Sequence, residues 1–415
     1  MNVLVIGLGI SGRSAATFLL NRGARVSAID SRADTLKSDP IVAQLLDRGL
    51  SLISETSPVS PDRFDQIVLS PGVPPSHPLI REANRRGVEV IGEVELACRS
   101  LTQSVIAVTG TNGKTTVTQL IGHVLNACGK PAKVLGNGGV PLAAEVDELQ
   151  GEIVVCELSS YQLETLSSRV IDAGAVLNIT PDHLDRYSDM DAYAKAKLRM
   201  IDCLKPGKKL FVSKQVINDF GHLISNSNKN IELIIEDDYN GYFNHDDENR
   251  FAAKKLCSEA GVLSEEFDRT AQGFIKPPHR IEFVRKRKGV SYFNDSKGTN
   301  LDAVKRAVEK MEGGVVLIAG GKEKGTGFTQ WIGPFKGKVK AIVAIGEARG
   351  SLVRELGDEF KVIEEKDLRS AVRTASSIAN DGDNVLLSPG CASFDMFKNF
   401  EERGNHFKEC VTLLD

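Results

Sequence analysis

The stretch VIAVTGTNGKTT, residues 105–116, decides the fold of the central part of this chain. Its apolar start predicts a buried strand, and the run Val117–Ala127 predicts a helix. In a glycine-rich loop between a strand and a helix, backbone amides cradle phosphate, a lysine meets the β/γ oxygens and a threonine hydroxyl can bind Mg²⁺. Val108 departs from the strict pattern, but the flanking strand and helix argue against a chance GKTT. We predict an ATP-binding loop consisting of Gly110, Thr111, Asn112, Gly113, Lys114, Thr115 and Thr116.

A second glycine-rich turn, GLGISG at Gly7–Gly12, opens the chain directly after the apolar run Val3–Ile6. Its glycines satisfy G-x-G-x-x-G, and Asp30 ends the next strand. Such glycines let backbone amides approach a diphosphate at a helix N-terminus, and the carboxylate can accept from sugar or base donors. A tight packing turn is the alternative. Because this block ends near Cys98, it is too short for a two-halved dinucleotide fold, and one nucleotide diphosphate suits it better than NAD.

Strands alternate with helices along all 415 residues, in three successive blocks, which predicts parallel sheets with right-handed crossovers. The pair Pro277–Pro278 marks the boundary before the third block. We predict an α/β fold of three domains: a Rossmann-like domain at residues 1–97, a P-loop ATPase domain with a mostly parallel sheet at 98–276, and a Rossmann-like domain at 277–415. The polar stretch 213–249 predicts surface turns.

The composition excludes several classes of protein. The chain has 52 Lys and Arg against 55 Asp and Glu, a net charge of -3, which argues against nucleic acid or a membrane surface as partner. No apolar run approaches the roughly 20 residues of a membrane span, and the amino terminus lacks the features of a signal peptide. The seven cysteines are scattered, which favours a reducing cytoplasm, and Cys391 has no evident histidine partner for nucleophilic catalysis.

Acidic residues follow two strands of the central block, next to where the phosphates of ATP would lie. Glu157 ends one apolar run, and Asp182-His183 follows the predicted strand Ala175–Ile179. Carboxylate and imidazole groups can hold Mg²⁺ on a substrate phosphate, which makes them candidate metal ligands. Taken alone, His183 would more often cap a helix or pack in a core, and Lys195 and Lys197 would be solvated surface lysines.

The third block repeats the same arrangement, since its apolar strands run into polar loops. Three of these loops are Asn294–Asn300, Gly320–Lys324 and Ser388–Ser393. The carboxyl ends of parallel strands share one edge of a sheet, so we expect the loops to gather there. Their cations indicate an anionic partner that carries phosphate or carboxylate groups. Helix capping by Thr299 and Ser393 is the alternative.

Read in chain order, a set of motifs resembles the Mur ligases of peptidoglycan synthesis. They are GTNGKTT, ELSSYQLE (157–164), TPDHLDR, AKLR, PHR, NDSKGTN and SPGCASFDMFKNFEERG (388–404). The resemblance covers nearly the whole chain, and the last motif is most similar to that of the member that adds D-glutamate. It implies a cytoplasmic, ATP-dependent amide ligase that joins UDP-N-acetylmuramoyl-L-alanine and D-glutamate through an acyl phosphate, with Mg²⁺ as cofactor. We expect a monomer.

The same resemblance assigns roles to individual residues. The UDP part of the substrate would meet Gly9, Ile10, Ser11, Gly12, Asp30, Ser31, Arg32, Ser70, Pro71 and Gly72. The nucleotide would be flanked by Asn249, Arg280, Asp295 and Lys297, and the muramoyl group by Asn137. D-glutamate would meet Thr299, Lys324, Ser393 and Phe400. Lys114, Glu157, His183 and Lys197 would be catalytic, and Mg²⁺ would bind Thr115, Glu157, His183 and Lys197, the last as a carbamate.

Other functions explain only part of the sequence. An NAD-dependent oxidoreductase would account for the first glycine turn alone, and a non-enzymatic P-loop switch would hydrolyse ATP slowly without stimulation by an amino acid. Within the resembled family, the alternatives are ligases that add L-alanine, a diamino acid, or glutamate to folate. The folate enzymes lack a UDP domain such as that predicted at residues 1–97.

Overall fold

The computed structural model describes residues 1–54, 57–224, 230–235 and 245–414. It contains three sheets with helices packed on them, and the chain divides into two compact units. The first unit comprises residues 1–179 and 191–274, and the second comprises residues 180–190 and 275–415. Across the described residues, no helix combines the length and apolarity needed to cross a bilayer.

A five-stranded sheet forms the amino-terminal part of the first unit. Its strands are β1 (Asn2–Ile6), β2 (Arg25–Asp30), β3 (Ser51–Ser54), β4 (Gln66–Leu69) and β5 (Glu89–Gly92). Its helices are α1 (Ile10–Asn21), α2 (Ala33–Leu36), α3 (Pro40–Asp47), α4 (Pro78–Arg85) and α5 (Glu93–Cys98). The strand order is β3-β2-β1-β4-β5, and every pair is parallel. Both faces of β1 are covered, which explains its continuous apolar run.

A six-stranded parallel sheet forms the rest of the first unit. Its strands are β6 (Val105–Thr109), β7 (Ala132–Gly136), β8 (Ile153–Glu157), β9 (Ile171–Val176), β10 (Leu204–Val212) and β11 (Ile231–Leu233). Its helices are α6 (Lys114–Ala127), α7 (Leu142–Glu145), α8 (Ser160–Leu163), α9 (Met190–Leu198), α10 (Lys214–Phe220), α11 (His245–Glu259) and α12 (Ser264–Ala271). The strand order is β11-β10-β9-β6-β8-β7.

Two sequence predictions for this sheet are wrong in position or type. The strand predicted at Ala175–Ile179 is β9, which begins earlier, at Ile171, and ends at Val176; beyond it, Asn178 bonds to the phosphate loop. The stretch 213–249 contains α10, β11 and the start of α11 rather than surface turns alone. Helix α10 forms because Ser213 caps it and Val216 and Phe220 are buried. Residues 225–229 and 236–244 of that stretch lie outside the described residues.

A third sheet forms the core of the second unit. Its strands are β12 (Glu282–Arg287), β13 (Val290–Asn294), β14 (Val315–Gly320), β15 (Val339–Ile345), β16 (Val362–Glu364) and β17 (Asn384–Leu387). Its helices are α13 (Leu301–Lys310), α14 (Ile332–Phe335), α15 (Arg349–Leu356), α16 (Leu368–Ile378) and α17 (Phe400–Thr412). The strand order is β12-β13-β17-β14-β15-β16, with β12 antiparallel to β13 and the other pairs parallel. The three α/β sheets confirm the predicted fold class.

Helix α5 connects the two sheets of the first unit through two buried carboxyl groups. Glu93 accepts a hydrogen bond from the backbone N–H of Ala143 at 2.7 Å. Glu95 accepts from the backbone N–H groups of Ser167 and Ser168, both at 2.9 Å. Burial raises the pKa of Glu93 to about 7, and its second carboxyl oxygen has no hydrogen-bond partner in the described part of the chain. The junction between the sheets therefore contains a group that titrates near neutral pH.

Candidate functional site

The phosphate loop lies between β6 and α6 in the first unit, where the sequence predicts it. Gly113, the residue before α6, has a φ of 87°, a conformation that glycine adopts without steric cost. A Cβ atom on Gly113 would lie 2.4 Å from Oδ1 of Asn249, so α11 brings that predicted nucleotide-binding residue against the loop. Thr115 and Thr116 are half-buried in the first turn of α6.

Asn178, which the sequence analysis missed, holds this loop in place. Its carbonyl oxygen accepts from the backbone N–H of Thr111, and its side-chain Oδ1 accepts from the N–H of Asn112, both at 2.8 Å. Its side-chain amide donates to the carbonyl of Asn112 at 3.1 Å. Asn178 follows β9, the parallel neighbour of β6, and that adjacency is visible only in the folded sheet.

Two lysines donate to the carbonyl oxygen of Gly110 in the phosphate loop. Lys114 Nζ lies 2.8 Å from it, and Lys197 Nζ lies 2.9 Å from it. Lys197 is only 1% exposed and its ammonium group lies 4.7 Å from the ring centre of Tyr193, one helical turn earlier on α9. Lys195, on the same helix, is exposed. The surface alternative for Lys197 is therefore wrong, whereas it describes Lys195.

Glu157 is the candidate metal ligand of the first unit. It ends β8, is 2% exposed, and accepts a hydrogen bond from the side-chain amide of Asn137 at 3.0 Å. Its other carboxylate oxygen, Oε2, is buried and has no partner in the described residues. A Cβ atom on Gly138 would lie 2.1 Å from that oxygen, so only glycine leaves it room. A buried, unpaired carboxylate oxygen fits Mg²⁺, which prefers oxygen ligands.

The described residues nevertheless contain no group of three His, Cys, Asp or Glu side chains that could hold a metal by themselves. His183 belongs to the second unit, in the segment 180–190. Its φ is 57°, which is rare for a residue with a side chain.

Beside His183, Asp182 forms a buried ion pair with Lys324. Lys324 Nζ lies 2.9 Å from the carboxylate, and the side-chain amide of Asn300 donates to it at 3.3 Å. Burial opposes ionisation of Asp182, but the charge of Lys324, the neighbouring His183 and the hydrogen bonds from Lys324 and Asn300 together hold the pKa of the carboxyl below its ordinary value. No sequence pattern links Asp182 to Lys324, because the two residues are 142 positions apart.

Three loops of the second unit, which we call the three-loop cluster, gather as predicted. They are Asn294–Asn300 after β13, Gly320–Lys324 after β14 and Ser388–Ser393 after β17, and these strands are neighbours in the sheet. The backbones of Lys322 and Ala392 exchange hydrogen bonds of 2.9 and 3.0 Å. Lys297 Nζ lies 3.9 Å above the ring of Phe400.

Thr299 and Ser393 do not cap helices, so the capping alternative is wrong. Asn300 caps α13 by accepting from the N–H of Ala303 at 2.9 Å, and Asn399 caps α17. Ser393 is 3% exposed and lies several residues before α17, whose first residue is Phe400. Thr299 and Ser393 therefore lie in the three-loop cluster, and neither of them caps a helix.

Asp295 and Cys391 are buried in the same cluster. Asp295 accepts from the Ser388 hydroxyl at 2.6 Å and from the N–H of Ile281 at 3.2 Å, and burial raises its pKa to about 7. Arg280, adjacent in sequence to Ile281, is half-buried. Burial raises the pKa of the Cys391 thiol to about 12, which supports the prediction that it is no nucleophile.

The amino-terminal glycine turn lies at the carboxyl ends of β1, β2 and β4. A Cβ atom on Gly12 would lie 1.8 Å from the carbonyl oxygen of Gly7, so the turn requires glycine. Asp30 accepts from the backbone N–H of Leu8 at 2.7 Å, and the Ser70 hydroxyl donates to the Gly7 carbonyl at 2.7 Å. The predicted UDP segments thus meet at one edge. Ile10, Ser31, Arg32 and Gly72 are exposed there, and Gly9, Ser11 and Pro71 complete the segments.

Comparison with known proteins gives a family for the whole chain. Residues 1–92 match the Mur ligase MurD-like N-terminal domain, residues 108–258 the Mur ligase middle domain, and residues 279–391 the Mur ligase glutamate ligase domain. A UDP-N-acetylmuramoylalanine--D-glutamate ligase of Protochlamydia amoebophila is 45% identical over 99% of this chain and 98% of its own length. One of Chlamydia caviae is 38% identical over 99% and 97%.

Solved structures agree on the fold. MurF from Acinetobacter baumannii superimposes with a TM-score of 0.62 at 16% identity, over 89% of this chain and 87% of its own. UDP-N-acetylmuramate-alanine ligase MurC from Thermotoga maritima gives a TM-score of 0.57 at 17% identity, over 99% of both chains. The phosphate loop, the three α/β sheets and the full-length relatives define an ATP-dependent ligase. The chain belongs to the Mur ligase family.

Proposed function

We propose that this chain joins D-glutamate to the L-alanyl carboxylate of UDP-N-acetylmuramoyl-L-alanine, with ATP as the energy source. The observation that carries the proposal is the 45% identity, over 99% of the chain, to a relative whose name states this reaction. Forming an amide from two charged groups is unfavourable in water. Activation of the carboxylate by phosphoryl transfer removes that obstacle, since phosphate is then the leaving group.

In the first step, a carboxylate oxygen of the substrate attacks the γ phosphorus of ATP, and ADP leaves. The loop amides and Lys114 would offset the charge on the phosphates, which requires Lys114 to turn from the Gly110 and Thr111 carbonyls that it contacts. Thr115 and Thr116 at the start of α6 would complete the loop. Asn249, with Arg280, Asp295 and Lys297, would flank the rest of the nucleotide.

We propose a Mg²⁺ site made of Thr115, Glu157, His183 and Lys197, the last as a carbamate. The unpaired, buried Oε2 of Glu157 supports this assignment. Bound Mg²⁺ would neutralise part of the phosphate charge during phosphoryl transfer. A carbamate on Lys197 would contribute an oxygen ligand, because an unmodified ammonium group can donate hydrogen bonds but cannot bind a cation.

The second step joins the amino acid. The amine of D-glutamate attacks the carbonyl carbon of the acyl phosphate, the C–N bond forms, and phosphate leaves. We propose that Thr299, Lys324, Ser393 and Phe400 bind D-glutamate, since hydroxyl and ammonium groups suit its two carboxylates. Asn137 would lie beside the muramoyl group, and the UDP part would bind at residues 9–12, 30–32 and 70–72.

We further propose that the protein acts as a cytoplasmic monomer with domains at residues 1–97, 98–276 and 277–415. The proposed substrates are soluble and nucleotide-linked, which supports a cytoplasmic location. The three separate family matches, at 1–92, 108–258 and 279–391, support this domain division.

Phosphate release, measured across a matrix of UDP-muramoyl precursors and amino acids, tests the function. We expect release only with the L-alanyl precursor together with D-glutamate. Equal release with L-alanine or L-lysine as the added amino acid would refute the D-glutamate assignment but leave the family unchanged. Slow release that no amino acid stimulates would refute ligation itself.

A further inference from the structure

Arg403 is a buried arginine whose role the proposed chemistry leaves open. It lies in the first turn of α17, is 1% exposed, and forms no ion pair with a carboxylate within the described residues. Burial lowers its pKa only to about 10, so it remains charged at neutral pH. A cation near the amino terminus of a helix also opposes the helix dipole. Neither packing nor helix stability explains an arginine here.

All three hydrogen bonds of the Arg403 guanidinium join loops of the three-loop cluster. Nε donates to the Ser296 hydroxyl at 3.0 Å, and Nη2 donates to the Ser296 carbonyl at 2.8 Å. Nη1 donates to the Cys391 carbonyl at 3.2 Å. The rigid fork of a guanidinium group fixes the relative position of its acceptors, which a lysine cannot do. Arg403 therefore joins the loop after β13 to the loop after β17.

The loop after β14 also contacts the guanidinium group of Arg403. A Cβ atom on Gly321 would lie 2.3 Å from the Ala392 carbonyl and 3.3 Å from Arg403 Nη1. The loop that carries Lys324 thus packs directly against the guanidinium, and the Lys322–Ala392 backbone bonds tie it to the loop after β17. Each of the three loops that touch Arg403 carries one proposed D-glutamate ligand.

We propose that Arg403 is a positioning residue for the amino-acid acceptor, which aligns Thr299, Lys324 and Ser393 on one dicarboxylate. The proposal rests on the proposed function, since it concerns the same acceptor site. The described hydrogen bonds of the Arg403 guanidinium go to Ser296 and to the Cys391 carbonyl rather than to the side chains proposed to flank the nucleotide, so its main effect should be on the acceptor.

The test compares Arg403→Lys and Arg403→Met with Arg285→Lys and Arg285→Met. Arg285 is a matched control, because its guanidinium donates to the carbonyls of Val411 and Thr412 at the opposite end of α17. Steady-state phosphate release gives KM for D-glutamate and for ATP, and thermal melting reports the fold. Trp331, the only tryptophan, reports loop packing, because it donates to the Leu301 carbonyl and lies against Gly390.

We expect Arg403→Lys to raise the KM for D-glutamate about tenfold and Arg403→Met about a hundredfold, because charge-assisted bonds to both loops are lost. The KM for ATP should change by less than about twofold, and both Arg285 variants should match the wild type. The emission of Trp331 should shift in Arg403→Met and not in the controls.

Several results would overturn the proposal. An unchanged KM for D-glutamate, an equal rise in both KM values, or an Arg403→Lys protein that does not fold would show that Arg403 serves stability alone. If Arg403→Met alone fails to fold, the Arg403→Lys comparison decides. A wild type without D-glutamate-dependent phosphate release would reject the proposed function and this inference together, whereas an active wild type with unaffected Arg403 variants rejects only the inference.

Discussion

The phosphate loop and the three-loop cluster both lie at strand ends, but they are built differently. The phosphate loop is one continuous segment, which Asn178 holds through three hydrogen bonds and Lys197 through one. The three-loop cluster joins segments that span residues 294–393, and it depends on Arg403 and on the Asp182–Lys324 pair. The residues that would contact the nucleotide phosphates are therefore adjacent in sequence, whereas the acceptor site depends on bringing three separate loops together.

The largest expected effect comes from Lys114→Ala in the phosphate loop. We expect ligation to fall by about a thousandfold, because the charge that offsets the phosphates is lost. The melting temperature should stay nearly unchanged, since the described bonds of the Lys114 ammonium group go to two backbone carbonyls of its own loop. Phosphate release and thermal melting measure both quantities, with the exposed Lys195→Ala as control. A large loss of stability with residual ligation would make Lys114 a structural residue.

Lys197→Arg should have the next largest effect. It tests the buried lysine that donates to the Gly110 carbonyl of the phosphate loop. Arginine retains the positive charge but cannot form a lysine carbamate, so we expect ligation to fall by about a hundredfold. Added bicarbonate should stimulate the wild type and leave the variant unchanged. Lys195→Arg, an exposed position on the same helix, is the control. Near-normal ligation by Lys197→Arg would remove the carbamate from the mechanism.

Lys324→Ala tests the three-loop cluster. We expect the KM for D-glutamate to rise about 10- to 100-fold, because the variant loses a cation and leaves Asp182 buried without its partner. The KM for ATP should change little. Lys322→Ala, an exposed position in the same loop, should behave like the wild type. If ATP binding weakens instead, the acceptor site lies elsewhere.

These two regions also differ in how far the sequence predicts them. The strand, glycines and lysine of the phosphate loop are adjacent in sequence, so their pattern predicts both fold and ligand. Asp182 pairs with Lys324, which is 142 positions away in the sequence. Arg403 bonds to Ser296, which is 107 positions away. Neither pair belongs to a local sequence pattern. Only the strand order of the folded sheets brings them together. The predicted end of the strand β9 is wrong for the same reason, since Asn178 bonds to the phosphate loop instead of continuing the strand.

The smallest expected effect on ligation comes from Glu93, which lies in neither region and affects the stability of the fold instead. The pKa of Glu93 is raised from 4.5 to about 7, so the folded protein binds its proton more tightly than the unfolded chain does. Its contribution to stability is complete below pH 4.5 and is lost as the pH rises to 7. Glu93→Gln should therefore be more stable than the wild type at pH 8, by about 3 kcal/mol, and similar to it at pH 4.5.

Denaturant unfolding at both pH values measures this difference. Asp295, whose pKa is also raised to about 7, remains in the variant, so some pH dependence should persist in the second unit. A Glu93→Gln variant that is less stable than the wild type at pH 8 would show that the carboxylate is needed at the junction between the two sheets of the first unit.

The most direct test of the proposed ligase chemistry follows one oxygen atom. UDP-N-acetylmuramoyl-L-alanine with both oxygens of its alanyl carboxylate labelled with ¹⁸O is incubated with ATP, Mg²⁺ and D-glutamate, and the released phosphate is analysed by mass spectrometry. If the carboxylate attacks the γ phosphorus and phosphate later leaves the carbonyl carbon, each phosphate carries one ¹⁸O and the new amide keeps the other. Stoichiometric release of unlabelled phosphate would contradict the account, because ATP would then be hydrolysed without activating the substrate.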